Sequence, residues 1–230
     1  MIFFRNKTAR FPDLSFAKDY HCHLLPGVDD GADEMTTSVQ ILQHMNEMGI
    51  HDVVLTPHIN PEIYPDNTEQ FLRERFSRFM SELPNSVSES THITLGGEYM
   101  LVDGFEQRDP EELLQMDSGK VLVEMSYYYI SSVIEKAIFN LMMAGITPVI
   151  AHPERYIYLA DNLYTFDRYH DMGATFQLNL FSLSGIYGPG SIRILEYLKQ
   201  KGWYSYMGSD THSIHHFDSM TKMKFPKRYL

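Results

Sequence analysis

The stretch GITPVIAHPER, residues 145–155, contains the unit from which the rest of the chain is built. Gly145 follows a helical pattern, and a glycine there adopts the left-handed conformation that ends a helix at little steric cost. The residues from Thr147 to Ala151 are nearly all apolar, as expected for a strand covered on both faces. Polar residues with functional side chains follow directly. The stretch therefore predicts a helix end, a buried strand and a functional loop, in that order.

The same order of helix, glycine and strand recurs along the chain. Gly49, Gly173 and Gly202 occupy the position that Gly145 has in the first unit. Strand-like runs end near His23, His58, Glu98, Glu124, His152, Asn179 and Asp210. Helical patterns cover 34–48, 67–83, 109–116, 131–144, 160–172 and 190–201. Repeated αβ units favour parallel strands over hairpins.

We predict an α/β fold, namely a single-domain distorted (β/α)7 barrel. Functional residues stand at almost every strand end, and a closed barrel brings such ends to one centre. An open doubly wound sheet is the alternative. Because no glycine- or serine-rich linker divides the chain, we assign residues 19–230 to one domain, preceded by an N-terminal arm over residues 1–18. We expect the arm to pack across the barrel bottom, with weak contact to an anionic membrane or a partner as the alternative.

The composition restricts the cellular context of the protein. Hydrophobic residues make up 43% of the chain and charged residues 21%, a balance that argues against disorder. The net charge of −11, without a long basic run, argues against a nucleic-acid partner. A single cysteine excludes an internal disulfide. With neither a signal-peptide pattern nor an apolar stretch of membrane length, we expect a cytoplasmic protein.

Clusters of histidine and carboxylate residues at the strand ends predict a metal site. His21 and His23 lie two positions apart on a strand, so both side chains point to one face while Cys22 points to the core. A charged group at the end of an apolar strand is costly unless it is paired or bound to a cation. The candidate ligands are His21, His23, Asp30, His58, Glu98, Glu124, His152, Asp210 and His212.

This ligand set predicts a catalytic rather than a structural metal site. Imidazole and carboxylate ligands without cysteine suit manganese, iron or zinc in an open cluster. The set exceeds what one ion can use, so we expect two or three ions with a bridging carboxylate. Four histidines are expected to lie away from the site: His44, His51, His92 and His170. For His215 and His216 the sequence leaves both placements open.

Two stretches carry a resemblance to a known family. The run from Asp19 to Ala32, with Ala151-His152-Pro153-Glu154-Arg155-Tyr156, resembles the polymerase-and-histidinol-phosphatase (PHP) superfamily. More narrowly, the chain resembles the bacterial manganese-dependent tyrosine phosphatases encoded with capsule and exopolysaccharide genes, from Asp19 to about His216. Asp30 supports the narrower assignment, since other branches have a histidine there. The resemblance implies a PHP-type barrel and Mn²⁺, with iron, zinc, cobalt or magnesium as alternatives.

The resemblance also implies how the site residues divide their roles. One ion would be held by His21, His23, Glu98 and Asp210, a second by Asp30, His58 and His212, and a third by Glu124, His152 and the shared Glu98. Arg155 corresponds to an arginine that contacts the substrate phosphate. A second such arginine is expected beyond His212, where this chain has His215, His216 and Phe217. Either a histidine substitutes for it, or phosphate binding is rebuilt.

The predicted activity is hydrolysis of phosphotyrosine by a metal-activated hydroxide, without a covalent enzyme intermediate. Arg155 would carry phosphoryl charge, and metal-bound water or His212 would supply a proton. By resemblance, the substrate is a phosphotyrosine protein, the tail of a bacterial tyrosine kinase in capsule or exopolysaccharide biosynthesis. Membrane contact is expected only through a partner or weakly through the arm. The alternatives are a PHP phosphatase of a small metabolite such as histidinol phosphate, a metal-dependent amide hydrolase, and a metal-loaded scaffold without turnover.

Overall fold

The computed structural model describes residues 8–10 and 17–226 of the chain. Most of the predicted N-terminal arm therefore lies outside the described residues. Both its assignment to residues 1–18 and the single domain over 19–230 stay predictions. Within the described part, no helix combines the length and the apolar character that a membrane span requires.

Short strands alternate with helices along the described chain. The strands are β1 (Thr8–Arg10), β2 (Lys18–Cys22), β3 (Asp52–Leu55), β4 (His58–Ile59), β5 (His92–Leu95), β6 (Glu98–Met100), β7 (Lys120–Glu124), β8 (Thr147–Ile150), β9 (Thr175–Asn179), β10 (Tyr204–Gly208) and β11 (Lys224–Pro226). The helices are α1 (Met35–Glu47), α2 (Glu69–Glu82), α3 (Asn85–Ser88), α4 (Ile134–Met143), α5 (Tyr164–Asp171), α6 (Gly188–Lys201) and α7 (Ile214–Thr221).

Two parallel sheets contain nearly all of these strands. One sheet has the order β10-β9-β8-β7-β6-β4, and the other has the order β2-β3-β5. Every pairing within both sheets is parallel, whereas β1 pairs with β11 antiparallel. The α/β class with parallel sheets is thus confirmed. Closure of the sheets into a seven-unit barrel stays a prediction.

At two places the chain passes from one sheet to the other after a short break. Pro57 lacks an N–H and interrupts the ladder between β3 and β4. Gly97 interrupts the next strand between β5 and β6, and a Cβ there would lie 2.6 Å from the Ile59 Cδ1 atom. The two breaks lie side by side, because Leu55 pairs with Leu95 before them and His58 pairs with Glu98 after them. As a result, His58 and Glu98 are register partners in the β4–β6 pair.

The two sheets meet again where β2 passes the end of β10. The backbone N–H of Asp210 donates to the carbonyl of His21 at 2.7 Å, and that of His23 donates to the carbonyl of Thr211 at 2.9 Å. Cys22 and Thr211 form an isolated parallel bridge between these bonds. The first and last predicted strands therefore bring their polar ends together.

The helix–glycine–strand prediction is confirmed at all four positions. The φ angles of Gly49, Gly145, Gly173 and Gly202 are 85°, 76°, 104° and 70°, in the left-handed region. Helices α1, α2, α4, α5 and α6 lie within or close to the predicted ranges. The glycines thus mark the points where the chain leaves each helix for the following strand or its lead-in.

The helix predicted over 109–116 is wrong. The Asp109 side chain accepts from the Glu111 N–H at 3.0 Å, and the Asp109 carbonyl accepts from the Glu112 N–H at 3.1 Å. These bonds close a single turn in which the aspartate side chain competes with helical bonding. Conversely, α7 was not expected. Its N-cap is Ser213, whose hydroxyl accepts from the His216 N–H at 3.1 Å.

The contact between β2 and β10 gives a stability prediction. A Cβ on Gly208 would lie 2.4 Å from the His21 Cβ atom and 2.8 Å from the Gln177 Nε2 atom, so Gly208→Ala must push β2 and β10 apart. We expect this substitution to lower the free energy of unfolding by about 2–3 kcal/mol. Gly145→Ala is the matched control, because its added methyl meets open space and only the positive φ costs about 1 kcal/mol.

Urea unfolding of both variants, followed by the fluorescence of the single tryptophan, Trp203, measures this difference. Equal losses in the two variants would contradict the role given to Gly208.

Candidate metal centre

The structure brings all nine candidate ligands together on one side of the parallel sheets. Each stands at or just beyond the carboxyl end of a strand, or on the loop that follows β2. Seven of them are nearly or fully buried: His21, His23, Glu98, Glu124, His152, Asp210 and, to a lesser degree, His58. The remaining two, Asp30 and His212, are more exposed. The role of all nine residues as metal ligands stays a prediction.

The Glu98 carboxylate lies at the centre of this cluster. Its Oε2 atom is 3.2 Å from His21 Nε2, 3.4 Å from His23 Nε2 and 3.1 Å from His58 Nδ1. None of these contacts has hydrogen-bond geometry, and Oε2 has no hydrogen-bond partner among the described residues. Its Oε1 atom pairs with His152 Nε2 at 2.9 Å. Lone pairs of several rings thus converge on a buried anion, which is an arrangement that cations would satisfy.

Four overlapping groups have ligand atoms close enough to share an ion. They are His23, Asp30, His58 and His212; His21, His23 and Asp210; His21, Glu98 and His152; and His58, Glu98 and Glu124. Within each group the ligand atoms lie within 4.8 Å of one another. The donor set of imidazole nitrogens and carboxylate oxygens fits a catalytic metal cluster. These groups differ from the assignment of ligands to ions that the resemblance implies. In the structure His58 shares a group with Glu98, and His152 shares a group with His21, whereas the resemblance assigns the members of each pair to different ions.

Two residues outside the predicted ligands hold the histidine rings. The Asp29 Oδ2 atom lies 2.9 Å from His23 Nδ1 and accepts from the His58 N–H at 2.9 Å. The Gln177 Oε1 atom lies 2.9 Å from His21 Nδ1 and accepts from the His152 N–H at 3.2 Å. Such partners fix the orientation and tautomer of a ligating ring. Strand β9 has polar residues at three of its five positions, so the sequence alone does not single out Gln177.

The adjacent residues Asp29 and Asp30 have different environments. The side chain of Asp29 is buried, whereas that of Asp30 is 62% exposed and lies 3.4 Å from His58 Nε2 and 3.6 Å from His212 Nε2. Gly31 makes this turn possible, since a Cβ there would lie 2.1 Å from the His23 carbonyl oxygen. Asp29 therefore supports the rings while Asp30 faces the open side.

Two candidate ligands have strained backbones. Among the described residues, the non-glycine residues with positive φ are His152, at 30°, and Asp210, at 54°. Such conformations cost of order 1–3 kcal/mol each and persist where the surrounding structure demands them. Asp210 is held by Arg155, whose Nη1 is 3.0 Å from Oδ2, and by Asn179, whose Nδ2 donates to the same oxygen at 2.9 Å. The strain is thus confined to the ends of β8 and β10, inside the cluster.

A cleft of about 680 Å³ opens above the cluster. Arg155 and His216 line it, together with Tyr127, Tyr128 and Tyr129. The Arg155 Cζ atom lies 4.4 Å from the centre of the Tyr127 ring. A guanidinium beside buried ligands provides a site for a bound anion.

The other tyrosine and histidine residues near the site divide into those that line the cleft and those that do not. Tyr156 is fully buried, and its hydroxyl accepts from the Met125 N–H at 3.0 Å. His215 is exposed on α7, whereas His216 faces the cleft. His44, His51, His92 and His170 do not line the cleft.

Over residues 17–224 the chain matches the model of the CpsB/CapC family, whose description is capsular polysaccharide synthesis. The chain belongs to the CpsB/CapC family. Tyrosine-protein phosphatase YwqE of Bacillus subtilis is 28% identical over 200 residues, or 85% of this chain and 77% of that protein. Tyrosine-protein phosphatase CpsB of Streptococcus pneumoniae is 31% identical over 168 residues, or 72% of this chain and 68% of that protein.

A solved structure agrees with this membership. It is described as YwqE from Bacillus subtilis and CpsB from Streptococcus pneumoniae, unique metal-dependent tyrosine phosphatases. The two folds superpose with a TM-score of 0.72 at 26% identity, over 86% of this chain and 81% of that chain. The family resemblance expected from the sequence is therefore confirmed.

The buried histidines and carboxylates of this CpsB/CapC cluster shift one another's pKa values. Burial lowers the pKa of His21, but the carboxylates of Glu98 and Asp210 outweigh it and raise this pKa to about 9. Burial and the Glu98 charge raise the pKa of Glu124 to about 8. Burial opposes ionisation of Asp29, yet the charge of His23 lowers its pKa to about 2. The buried carboxylates thus favour the protonated form of His21.

These shifts predict how the stability of the metal-free protein depends on pH. The folded pKa of His21 exceeds its ordinary value of 6.5, so its contribution is fully present below pH 6.5 and is lost as the pH rises through about 9. The raised pKa of Glu124 acts in the same direction up to about pH 8. In chelator, we expect unfolding at pH 9 to be easier than at pH 7 by about 3 kcal/mol, or roughly 6–12 °C in Tm.

Calorimetry in chelator at both pH values measures this effect, and His21→Gln should reduce it. Added Mn²⁺ should reduce it as well, because a metal replaces the proton on a ligating ring. A metal-free protein with the same Tm at pH 7 and pH 9 would show that the protonated imidazole does not stabilise the cluster.

Proposed function

We propose that this protein is a metal-dependent protein-tyrosine phosphatase. The observation that carries the proposal is the convergence of imidazoles and carboxylates on Glu98, beneath a cleft whose wall holds Arg155. Both curated relatives described above are named tyrosine-protein phosphatases. The solved relative is described as metal-dependent. These names and the donor set support the same chemistry.

The nine candidate ligands would hold two or three ions, and we propose Mn²⁺ as the native metal. Bound ions of this kind lower the pKa of water toward neutrality and supply a nucleophile for phosphorus. The chain itself provides the remaining functions. Arg155 binds phosphoryl oxygens with its planar guanidinium, and its ion pair with Asp210 holds it in the cleft wall. His212, 23% exposed at the open side, is available to donate a proton.

The substrate we propose is phosphotyrosine in a protein, the tail of a bacterial tyrosine kinase of capsule or exopolysaccharide synthesis. A phenolate leaving group, with a pKa near 10, departs more readily than a serine alkoxide. The aromatic walls at Tyr64, Tyr127 and Tyr187 suit a tyrosyl ring. Hydrolysis of a small metabolite such as histidinol phosphate is the second candidate, and the open cleft does not favour it.

We also propose that the two parallel sheets form one distorted (β/α)7 barrel of the PHP type. The broken strands β3–β4 and β5–β6 each continue from one sheet into the other. The bonds between β2 and the end of β10 support contact of the first and last units. A cytoplasmic location stays a prediction.

A substrate panel tests the proposed activity. We expect the Mn²⁺-loaded protein to hydrolyse a phosphotyrosine peptide with a kcat/KM at least about tenfold above that for a phosphoserine peptide, because of the better leaving group. Chelator should abolish the activity. Arg155→Ala should lower kcat/KM about a hundredfold, as expected for loss of a charge-stabilising donor.

The matched control is Arg168→Ala, which removes an exposed arginine on α5 that pairs with Glu135. This variant should retain wild-type activity. Preference for histidinol phosphate over the phosphotyrosine peptide would overturn the proposed substrate, and cleavage of an amide analogue alone would overturn the reaction class.

His216 is our candidate for the second group that contacts phosphate. The His216 Nδ1 atom accepts from the backbone N–H of His212 at 3.3 Å, so the ring proton lies on Nε2. The ring packs against Phe181 at a centroid distance of 4.2 Å and lines the cleft near Arg155. A neutral imidazole fixed in this way offers one N–H donor to a phosphoryl oxygen.

Replacement of His216 tests this role. We expect His216→Ala to raise the KM for a phosphotyrosine peptide roughly tenfold, since a hydrogen bond to a charged group is lost. His216→Gln, which keeps a donor, should restore part of the affinity. His215→Ala, at the exposed neighbour on the same helix, is the control. If both alanine variants share the wild-type KM, His216 does not bind phosphate.

A further inference from the structure

One tyrosine side chain contacts both halves of the site, the carboxylate cluster and the arginine. The Tyr127 hydroxyl donates a short hydrogen bond to Glu124 Oε1 and lies 3.5 Å from His152 Nε2. The face of the same ring lies beneath the Arg155 guanidinium, with Cζ 4.4 Å from the ring centre. Tyr127 follows β7 by three positions, on the loop that forms one wall of the cleft.

The hydroxyl holds one Glu124 oxygen, Oε1, which also lies 3.5 Å from His152 Nε2. With Oε1 held by Tyr127, the Oε2 atom faces His58 Nδ1 at 3.8 Å. A phenol, with an ordinary pKa near 10, keeps its proton at neutral pH and can donate. A carboxylate anchored through one oxygen presents the other in a fixed direction, and outer partners of this kind contribute to metal affinity.

The ring supports Arg155 independently of the hydroxyl. Arg155 is held by Asp210 at 3.0 Å, by the Tyr127 ring at 4.4 Å and by the Tyr187 ring at 5.5 Å. An aromatic face attracts a guanidinium through its quadrupole while leaving the edge N–H groups free to bind an anion. Tyr127 is itself packed against Tyr156, with ring centres 5.9 Å apart. The support under Arg155 is therefore anchored in the core.

We propose that Tyr127 is a positioning residue with two separable roles: its hydroxyl orients Glu124 for metal binding, and its ring holds Arg155 for phosphate binding. The inference rests on the proposed function for the metal site and for the identity of the anion. Because the roles use different parts of one side chain, substitutions separate them. Tyr127→Phe removes the hydroxyl and keeps the ring, whereas Tyr127→Leu removes both.

Two binding measurements by calorimetry test the proposal without turnover. The first is the dissociation constant of Mn²⁺ for the metal-free protein, and the second is that of inorganic phosphate for the Mn²⁺-saturated protein. For Tyr127→Phe we expect Mn²⁺ binding to weaken about tenfold with phosphate binding within about twofold of wild type. For Tyr127→Leu we expect the same loss for Mn²⁺ and, in addition, phosphate binding weaker by roughly three- to tenfold.

The matched controls are Tyr164→Phe and Tyr164→Leu, at a tyrosine that is 80% exposed at the start of α5. Both should bind Mn²⁺ and phosphate as wild type does. If the leucine variant at 127 does not fold, Tyr127→Met provides the same comparison.

Wild-type Mn²⁺ affinity in Tyr127→Phe would overturn the role of the hydroxyl. Unchanged phosphate affinity in Tyr127→Leu would overturn the role of the ring. Turnover is measured separately as kcat and KM on the phosphotyrosine peptide. A protein that shows both binding effects but hydrolyses no aryl phosphate would retain this inference and lose the proposed function.

Discussion

The structure of this protein depends on the burial of the Glu98 carboxylate among histidine rings. One of its oxygens lies within 3.4 Å of the rings of His21, His23 and His58 without a hydrogen bond. A buried anion of this kind is stable only with positive charge beside it. Glu98 and Asp210 raise the pKa of His21 and so favour a proton on this ring in the protein without metal. The fold therefore provides a site in which protons and metal ions compete for the same nitrogens.

This arrangement requires strained or closely packed backbone at a few positions. His152 and Asp210 adopt positive φ angles. Gly208 has no side chain, so β10 can lie against His21 at a distance that leaves no room for a methyl group. Asp210 combines this strained backbone with contacts to Arg155 and Asn179. Because strain, close approach and ligands occur at the same strand ends, a change there affects both folding and the site.

Local patterns predicted the parts of this structure that local chemistry determines. The glycine at the end of α4, Gly145, and the strand after it followed from conformational preference and apolar sequence alone. The turn at Asp109 was mistaken for a helix because a side chain that bonds its own backbone leaves no trace in the apolar pattern. The supporting residues Asp29 and Gln177 could not be chosen from the sequence, since they contact rings from other strands. Ligands at strand ends are visible in a sequence, whereas the groups that orient them depend on packing.

The electrostatics of the cleft link the metal cluster to the proposed substrate. The chain carries a net charge of −11, and Asp30 and Glu62 add acidic groups to the cleft wall. Among the described residues that line it, Arg155 is the only arginine or lysine. A phosphate dianion would be repelled by this surface unless ions neutralised the carboxylates below it. Metal binding is therefore needed to attract the substrate as well as to activate water, and Arg155 alone could not take its place.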